Sequence, residues 1–211
     1  MLSRVFLSLL LLIQLWINTP VAAMTDPDTG IIFAPKTASN DLELCGVGTR
    51  RKGPIKVYSV GMYCTAALKE KLAAMSRSAD KGKPALAFLR DGVKQESATF
   101  LLKMSFKVGA EKMASAIAES VAPRHAGNPA DVEQLKGLVF NGISQAGGVA
   151  AKGTTFEFDC SPAGVEVAVD GKPQGKVPSN QLASAFCDVY LDDKCVSPKL
   201  RECILEHFCA P

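Results

Sequence analysis

The most constraining feature of this 211-residue chain is a segment near its middle in which large apolar residues recur at every second position. From Ala98 to Val108 every second residue is large and apolar: Phe100, Leu102, Met104, Phe106 and Val108. Side chains of a β-strand alternate between the two faces of a sheet, so the pattern predicts a strand with one buried face. Such a strand needs partner strands beside it and a second layer over its apolar face.

Further strands and helices are predicted on both sides of this stretch. β-Branched or alternating segments predict strands at 31–34, 41–49, 55–64, 154–160 and 165–169. Turn residues lie at 51–54 and at Asp170-Gly171. Helical composition or spacing predicts helices over 65–75 and 84–90, a third after Gly109 and a fourth that begins near Pro129. Two more helices are predicted near the C-terminus, and Ser197 caps the last of them. Strands in clusters with helices between and after them predict an α+β fold with an antiparallel sheet.

The first 23 residues have the pattern of a cleavable export signal. Arg4 precedes the apolar run Val5–Ile17, and the small residues Val21-Ala22-Ala23 lie where a signal peptidase reads. As a helix this run spans about 20 Å, short of the ~30 Å core of a bilayer, which disfavours a membrane anchor. We expect cleavage after Ala23, one domain over 24–211 without a membrane span, and a destination in the secretory pathway, periplasm or cell exterior. A plastid address is the weaker alternative.

Charge gives no indication of a nucleic-acid partner. The chain has 24 Lys and Arg residues against 21 Asp and Glu residues. Phosphate binding needs a concentrated basic patch, and the one basic cluster in the sequence, residues 50–52, is too short for that role. We therefore expect no nucleic acid as partner.

Seven cysteines follow the signal, at positions 45, 64, 160, 187, 195, 203 and 209. In an exported protein they are candidates for disulfides. No C-x-x-C pair occurs and only two histidines are present, so we expect no metal site. If the last two helices form an antiparallel hairpin around 193–194, Cys187 and Cys203 lie opposite one another and are the preferred disulfide. Cys45 and Cys64, on neighbouring strands, could form a second.

Three segments carry a family resemblance. The first is Leu44–Arg50 followed by Val57–Tyr63, two glycine-containing strands around a turn, with an arginine ending the first strand. The second is the strand-Gly-helix segment 101–121, and the third runs from Gly164 to the helix that contains Leu200-Arg201. In this order and spacing they resemble the chalcone isomerase family, over nearly the whole of the chain after the signal. The resemblance implies an antiparallel sheet with a layer of helices packed on it.

The family includes enzymes that cyclise chalcones to flavanones and non-catalytic relatives that bind fatty acids or haem. Arg50 matches the family's arginine, which assists the reacting oxyanion in the enzymes and holds the carboxylate in the fatty-acid binders. Tyr58 falls where the enzymes carry a threonine and the fatty-acid binders a tyrosine. Lys112, Glu119 and Val189 replace the enzymes' remaining tyrosine, asparagine and threonine. The resemblance therefore implies a fatty-acid binder without catalysis, with Arg50 and Tyr58 as its ligand-binding residues.

Strand alternation supports this choice of tyrosine, because Tyr58 and Tyr63 must point to opposite faces and only one can share the face of Arg50. The apolar face of 100–106 and a helical stripe that includes Met113 could line a tunnel for the alkyl chain, although most of these side chains suit an ordinary core.

Three alternatives stay open: an isomerase with Arg50 as electrostatic catalyst, a haem protein, and a scaffold without ligand. Haem would need an axial ligand such as histidine, and only His125 and His207 are available.

Overall fold

An antiparallel sheet organises the chain, and the computed structural model describes residues 22–211. The predicted signal at 1–23 therefore lies almost entirely outside the described residues. The strands are β1 Met24–Thr25, β2 Ile32–Phe33, β3 Glu43–Lys52, β4 Ile55–Cys64, β5 Ala98–Met104, β6 Val108–Gly109, β7 Val149–Ala150, β8 Thr155–Ser161, β9 Gly164–Val169 and β10 Lys172–Val177. Six of them form the main sheet, in the order β10-β9-β8-β5-β4-β3, and every neighbouring pair is antiparallel.

Six α-helices are present in the described part of the chain: α1 Ala66–Ala73, α2 Lys83–Gln95, α3 Ala110–Val121, α4 Pro129–Gln145, α5 Asn180–Leu191 and α6 Pro198–Phe208. Helix α4 contacts β9 and β10, α5 contacts β8 and β9, and α6 contacts β3. The α+β fold with an antiparallel sheet and a helical layer, predicted from the sequence, is confirmed.

The main core lies between the sheet and these helices. Phe100, on the central strand β5, is fully buried and stacks on Tyr190 of α5, with ring centroids 4.9 Å apart. On the neighbouring strand β8, Phe158 lies against Phe186 of the same helix at 4.5 Å. Aromatic pairs at these separations add to the energy gained by burying their surface. These contacts fix α5 on the middle of the sheet.

The opposite face of the sheet carries a smaller core and a buried carboxylate. The ring of Phe33 lies over Gly61, where a Cβ atom would be 2.5 Å from the ring. Asp26 is almost fully buried, and its carboxylate accepts hydrogen bonds from the hydroxyls of Thr49 and Ser59, at 2.6 and 2.5 Å. Both contacts hold the β1–β2 ribbon against β3 and β4.

Strand β3 is an edge of the sheet, and α6 packs directly on it. A Cβ atom at Gly48 would lie 2.2 Å from the backbone nitrogen of Leu200, so only glycine allows this approach. Along the outer edge, the Val47 N–H donates to Cys203 Sγ at 3.3 Å. The Ser197 hydroxyl donates to the Thr49 carbonyl at 3.0 Å. Ser197 thus precedes α6 as predicted, but its hydroxyl bonds to β3 rather than capping the helix.

The predicted Cys187–Cys203 disulfide is wrong, because the last two helices do not form the hairpin on which it rested. Cys187 is a buried residue of α5 and belongs to the main core, whereas α6 covers β3 and places Cys203 beside that edge strand. Both cysteines are free. The bridge that is present joins Cys45 and Cys64 across β3 and β4, with Cα atoms 6.5 Å apart.

The central strand is shorter than the alternation predicted. β5 ends at Met104 because the Ser105 and Phe106 N–H groups both turn to the carbonyl of Val57, at 3.0 and 3.2 Å. Phe106 is 47% exposed rather than buried, and Val108 belongs to the separate pair β6–β7. The alternation of apolar residues in the sequence therefore extends beyond the residue at which the strand ends.

Candidate functional site

Arg50 and Tyr58 lie directly opposite one another on β3 and β4. A β-bulge follows Arg50, next to the hairpin turn. The Arg50 Nη1 donates to Tyr58 Oη at 3.4 Å, and the guanidinium carbon lies 5.8 Å from the centre of the tyrosine ring. Tyr63 points to the other face, where its hydroxyl donates to the Ala34 carbonyl at 3.1 Å. The prediction that Tyr58, and not Tyr63, shares a face with Arg50 is confirmed.

Two further hydroxyls complete the polar cluster around Arg50. Its Nη1 also donates to Ser120 Oγ of α3 at 3.1 Å, and that hydroxyl in turn donates to the Ala116 carbonyl at 2.7 Å. Tyr58 Oη lies 2.9 Å from Tyr190 Oη of α5. The hairpin, α3 and α5 therefore each contribute a side chain to one hydrogen-bonded group, which we call the Arg50 cluster: Arg50, Tyr58, Ser120 and Tyr190.

The Arg50 cluster holds a positive charge without a paired carboxylate. Within residues 22–211 no carboxylate lies within 4.0 Å of the Arg50 guanidinium, although the side chain is largely covered by protein. Arg90 and Arg124, by contrast, form ion pairs with Asp188 and Asp192 at 2.6 and 2.8 Å. Burial of a charge is costly unless the charge is paired. Arg50 is therefore a partly buried arginine whose charge has no ion-pair partner among the described residues.

Protonation states in the cluster suit anion binding. Burial acts to lower the pKa of Arg50, but the nearby tyrosine hydroxyls and Glu119 outweigh it, and the pKa is raised above its ordinary value. Burial raises the pKa of Tyr190 well above its ordinary value, and the adjacent Tyr58 adds to the effect. The guanidinium thus stays charged and the Tyr190 hydroxyl stays protonated, so both can donate hydrogen bonds.

The side chains predicted to line a tunnel are closely packed in this structure. Phe100, Leu102 and Met104 are fully buried, and so are Met113 and Ile117 of α3 to within a few per cent. All five belong to the main core. Three surface cavities, of about 450, 160 and 370 Å³, are lined by other residues. An alkyl chain would therefore have to displace core side chains to enter.

None of the positions that align with the enzymes' remaining catalytic residues is hydrogen-bonded to Arg50, although the charge of Glu119 acts on its pKa. Lys112 and Glu119 are exposed on α3, and Val189 is buried in the core. The histidines considered for haem are engaged locally. His125 Nε2 lies 3.0 Å from the Asn128 carbonyl, and His207 Nδ1 lies 3.1 Å from the carbonyl of Cys203, one turn earlier in its own helix.

Tyr190 and Ser120 are the cluster members that the sequence analysis did not assign to the site. A signal for Tyr190 was available, because Leu182, Phe186 and Tyr190 are spaced four apart and share the buried side of α5. A tyrosine on such a stripe brings a hydroxyl that must find a partner in the core. Ser120 is likewise the polar member of the apolar stripe of α3.

Among residues 22–211, no group of three or more His, Cys, Asp and Glu side chains is placed to hold a metal ion. None of the helices in the same range is both long and apolar enough to cross a membrane.

Comparison with known proteins agrees with the resemblance found in the sequence. A sequence model described as chalcone isomerase-like matches residues 29–206. A crystal structure of a fatty-acid binding protein from Arabidopsis thaliana superposes with a TM-score of 0.69 at 24% identity, covering 87% of this chain and 96% of that chain. At this identity the likeness shows a common fold. No curated protein matches the chain.

Proposed function

This chain belongs to the chalcone isomerase-like family, and from that premise we propose that it binds a small hydrophobic carboxylate, specifically a fatty acid, without converting it. The carboxylate binds the Arg50 guanidinium, and the Tyr58 hydroxyl shares it. A fatty-acid binding protein with the same fold supports the choice of ligand class.

The observation that carries the proposal is the lack of a countercharge at Arg50. Its guanidinium donates to two neutral hydroxyls, on Tyr58 and Ser120, and to no carboxylate among residues 22–211. A planar guanidinium offers two parallel N–H donors that match a carboxylate, and such charge-assisted pairs are stronger than bonds to hydroxyls. A carboxylate ligand would supply the charge that the protein itself leaves out.

The apolar part of the ligand would enter the core between β5 and α3. Met104 lies directly opposite Tyr58 on β5, and Met113 faces the same core from α3. Methionine is unbranched and fills irregular space, so this part of the core can repack around an alkyl chain at lower cost than one built of branched side chains. The polar head at Arg50 and an adaptable apolar region beside it are the two parts that a fatty-acid site requires.

The test is mass spectrometry of lipids that co-purify with the protein. We expect a bound fatty acid in the wild type and its loss in Arg50→Ala, with a fall in affinity of about 10- to 100-fold, because a charge-assisted pair is removed. Arg51→Ala is the matched control. It removes the adjacent arginine, which pairs with Asp28 at 2.9 Å on the outside of the hairpin, and should retain the fatty acid.

Two results would count against the proposal. Equal fatty-acid content in Arg50→Ala and the wild type, with circular dichroism unchanged, would remove Arg50 from the site. Enantioselective cyclisation of a chalcone by the wild type would show that the protein is an enzyme, with Arg50 as an electrostatic catalyst.

We also propose that the protein acts outside the cytoplasm, after cleavage behind Ala23. The apolar run at 5–17 and the small residues before the cleavage point support this. The Cys45–Cys64 bridge agrees with an oxidising compartment, where disulfides persist.

A further inference from the structure

We propose that one end of the main sheet is a docking surface for anionic membranes. Six exposed residues form it, and we call them the sheet-end patch: Lys52, Ile55, Lys56, Phe106, Lys107 and Lys152. At this surface a bound fatty acid could be exchanged with membrane lipid. That purpose rests on the proposed function.

Strand pairing brings the members of the patch together from distant parts of the sequence. Lys52 and Ile55 face each other across the turn between β3 and β4. Phe106 follows the end of β5, where its N–H donates to the carbonyl of Val57 at 3.2 Å. The Gly153 N–H donates to the Met104 carbonyl at 2.9 Å, which places Lys152 at the same end of the sheet. A basic surface thus arises from three separate segments of the chain: 52–56, 106–107 and residue 152.

Two apolar side chains at this end are exposed without a partner. Phe106 is 47% and Ile55 is 41% exposed. Phe106 follows β5 beside the strand that begins with Ile55, so the two side chains lie at neighbouring strand ends. Exposed apolar side chains that are grouped and surrounded by polar residues mark interaction sites more often than scattered ones do. These two could enter the interfacial region of a membrane.

The lysines of the patch form no ion pairs among the described residues, although Lys56 donates a hydrogen bond to the Asp28 carbonyl. In the described part of the chain, Lys52, Lys107 and Lys152 have no carboxylate within 4.0 Å. The carboxylates at this end are already engaged: Asp28 pairs with Arg51 at 2.9 Å, and Asp170 accepts the Thr155 N–H at 2.7 Å. The patch therefore presents several free ammonium groups around two apolar anchors.

This combination fits an anionic lipid surface better than a nucleic acid or an acidic protein. Lysines lie at the rim of the patch, where their long stems can lie along apolar surface while their charged ends reach lipid headgroups. The patch contains no arginine and a single aromatic ring, Phe106, whereas nucleic-acid sites typically concentrate arginines and several stacking aromatics. It also adjoins the proposed ligand site, since Arg50 is two strand residues, about 7 Å, from Lys52.

The test is sedimentation with vesicles of phosphatidylcholine and phosphatidylglycerol in a two-to-one ratio, with no fatty acid added. Lys52→Gln/Lys107→Gln should bind about 25-fold more weakly than the wild type, at about fivefold for each lysine near an anionic surface. Phe106→Ala should weaken binding about tenfold by removing an inserted ring. Salt should weaken wild-type binding because exposed charges are screened.

Lys71→Gln/Lys81→Gln is the matched control. It makes the same change in net charge at exposed lysines beyond the other end of β4, about 30 Å away, and should bind like the wild type. The proposal would be overturned if both double variants lost binding equally. It would also be overturned if the wild type bound equally well to vesicles of pure phosphatidylcholine. Binding to heparin without binding to vesicles would overturn it as well. Fatty-acid content should be unchanged in Lys52→Gln/Lys107→Gln, so failure of this proposal is distinguishable from failure of ligand binding at Arg50.

Discussion

Arg50 and Tyr63 show how two positions on opposite faces of one hairpin acquire different chemical roles. Arg50 faces the helices, where hydroxyls surround it and its charge has no partner carboxylate in the described residues. Tyr63 faces the opposite side, where burial, with a smaller effect of Glu157, raises its pKa to about 12. The Arg50 guanidinium thus donates only to neutral hydroxyls, whereas the Tyr63 hydroxyl donates to the Ala34 carbonyl on the other face of the sheet.

The raised pKa of Tyr63 predicts a loss of stability in alkaline solution. An unfolded tyrosine ionises near pH 10, whereas the folded one holds its proton to about 12, so its contribution is complete below pH 10 and is lost as the pH rises through 12. At pH 7, the free energy of unfolding of Tyr63→Phe should be about 1 kcal/mol lower than that of the wild type, because the Ala34 carbonyl loses its donor. Urea titrations should show this difference shrinking above pH 10. Parallel curves for the two proteins would contradict the assignment.

At the scale of elements, Gly46 and Gly48 determine where α6 can lie. A Cβ at Gly48 would strike the backbone of Leu200 at 2.2 Å, whereas one at Gly46 would meet the side-chain atom Cγ1 of Ile204 at 2.6 Å. Backbone cannot move aside as a side chain can. Gly48→Ala should therefore destabilise the protein by about 3 kcal/mol, and Gly46→Ala by about 1 kcal/mol.

Chemical denaturation of the two variants tests this order. Gly137→Ala is the control, since this position lies within α4 and has no atom within 4 Å of a new Cβ. It should stabilise the protein by about 0.5–1 kcal/mol through its higher helix propensity. A larger cost at Gly46 than at Gly48 would mean that α6 does not sit on β3 as described.

The same elements show how far the sequence could predict the fold. Strand β4 was predicted at its observed bounds, Ile55–Cys64, because local alternation and a turn define it. The course of α6 could not be predicted, since it depends on a contact with glycines some 150 residues earlier in the chain. In the site, the Arg50–Tyr58 pair followed from the resemblance and strand alternation, whereas Tyr190 and Ser120 join it only through helix packing.

At the scale of the whole molecule, the cysteine pattern connects fold and compartment. We expect peptide mapping without reduction, on protein purified from its own cell, to give a Cys45–Cys64 linkage and an N-terminal peptide beginning at Met24. The other five cysteines should be free thiols, as in the structure. Reduction should lower the free energy of unfolding by about 2–4 kcal/mol, since the bridge restrains the unfolded chain. A Cys187–Cys203 peptide, or a chain that retains Met1, would contradict this description.

The hydrogen bonds along the outer edge of β3 also bear on self-association. An exposed edge strand offers unpaired backbone groups that another chain can use to extend the sheet. Here the N–H of Val47 is bound by Cys203, the carbonyl of Thr49 by Ser197, and the N–H of Leu44 by the Pro35 carbonyl at 2.9 Å. The edge strand β3 is therefore shielded by its own chain against pairing with a strand of another molecule.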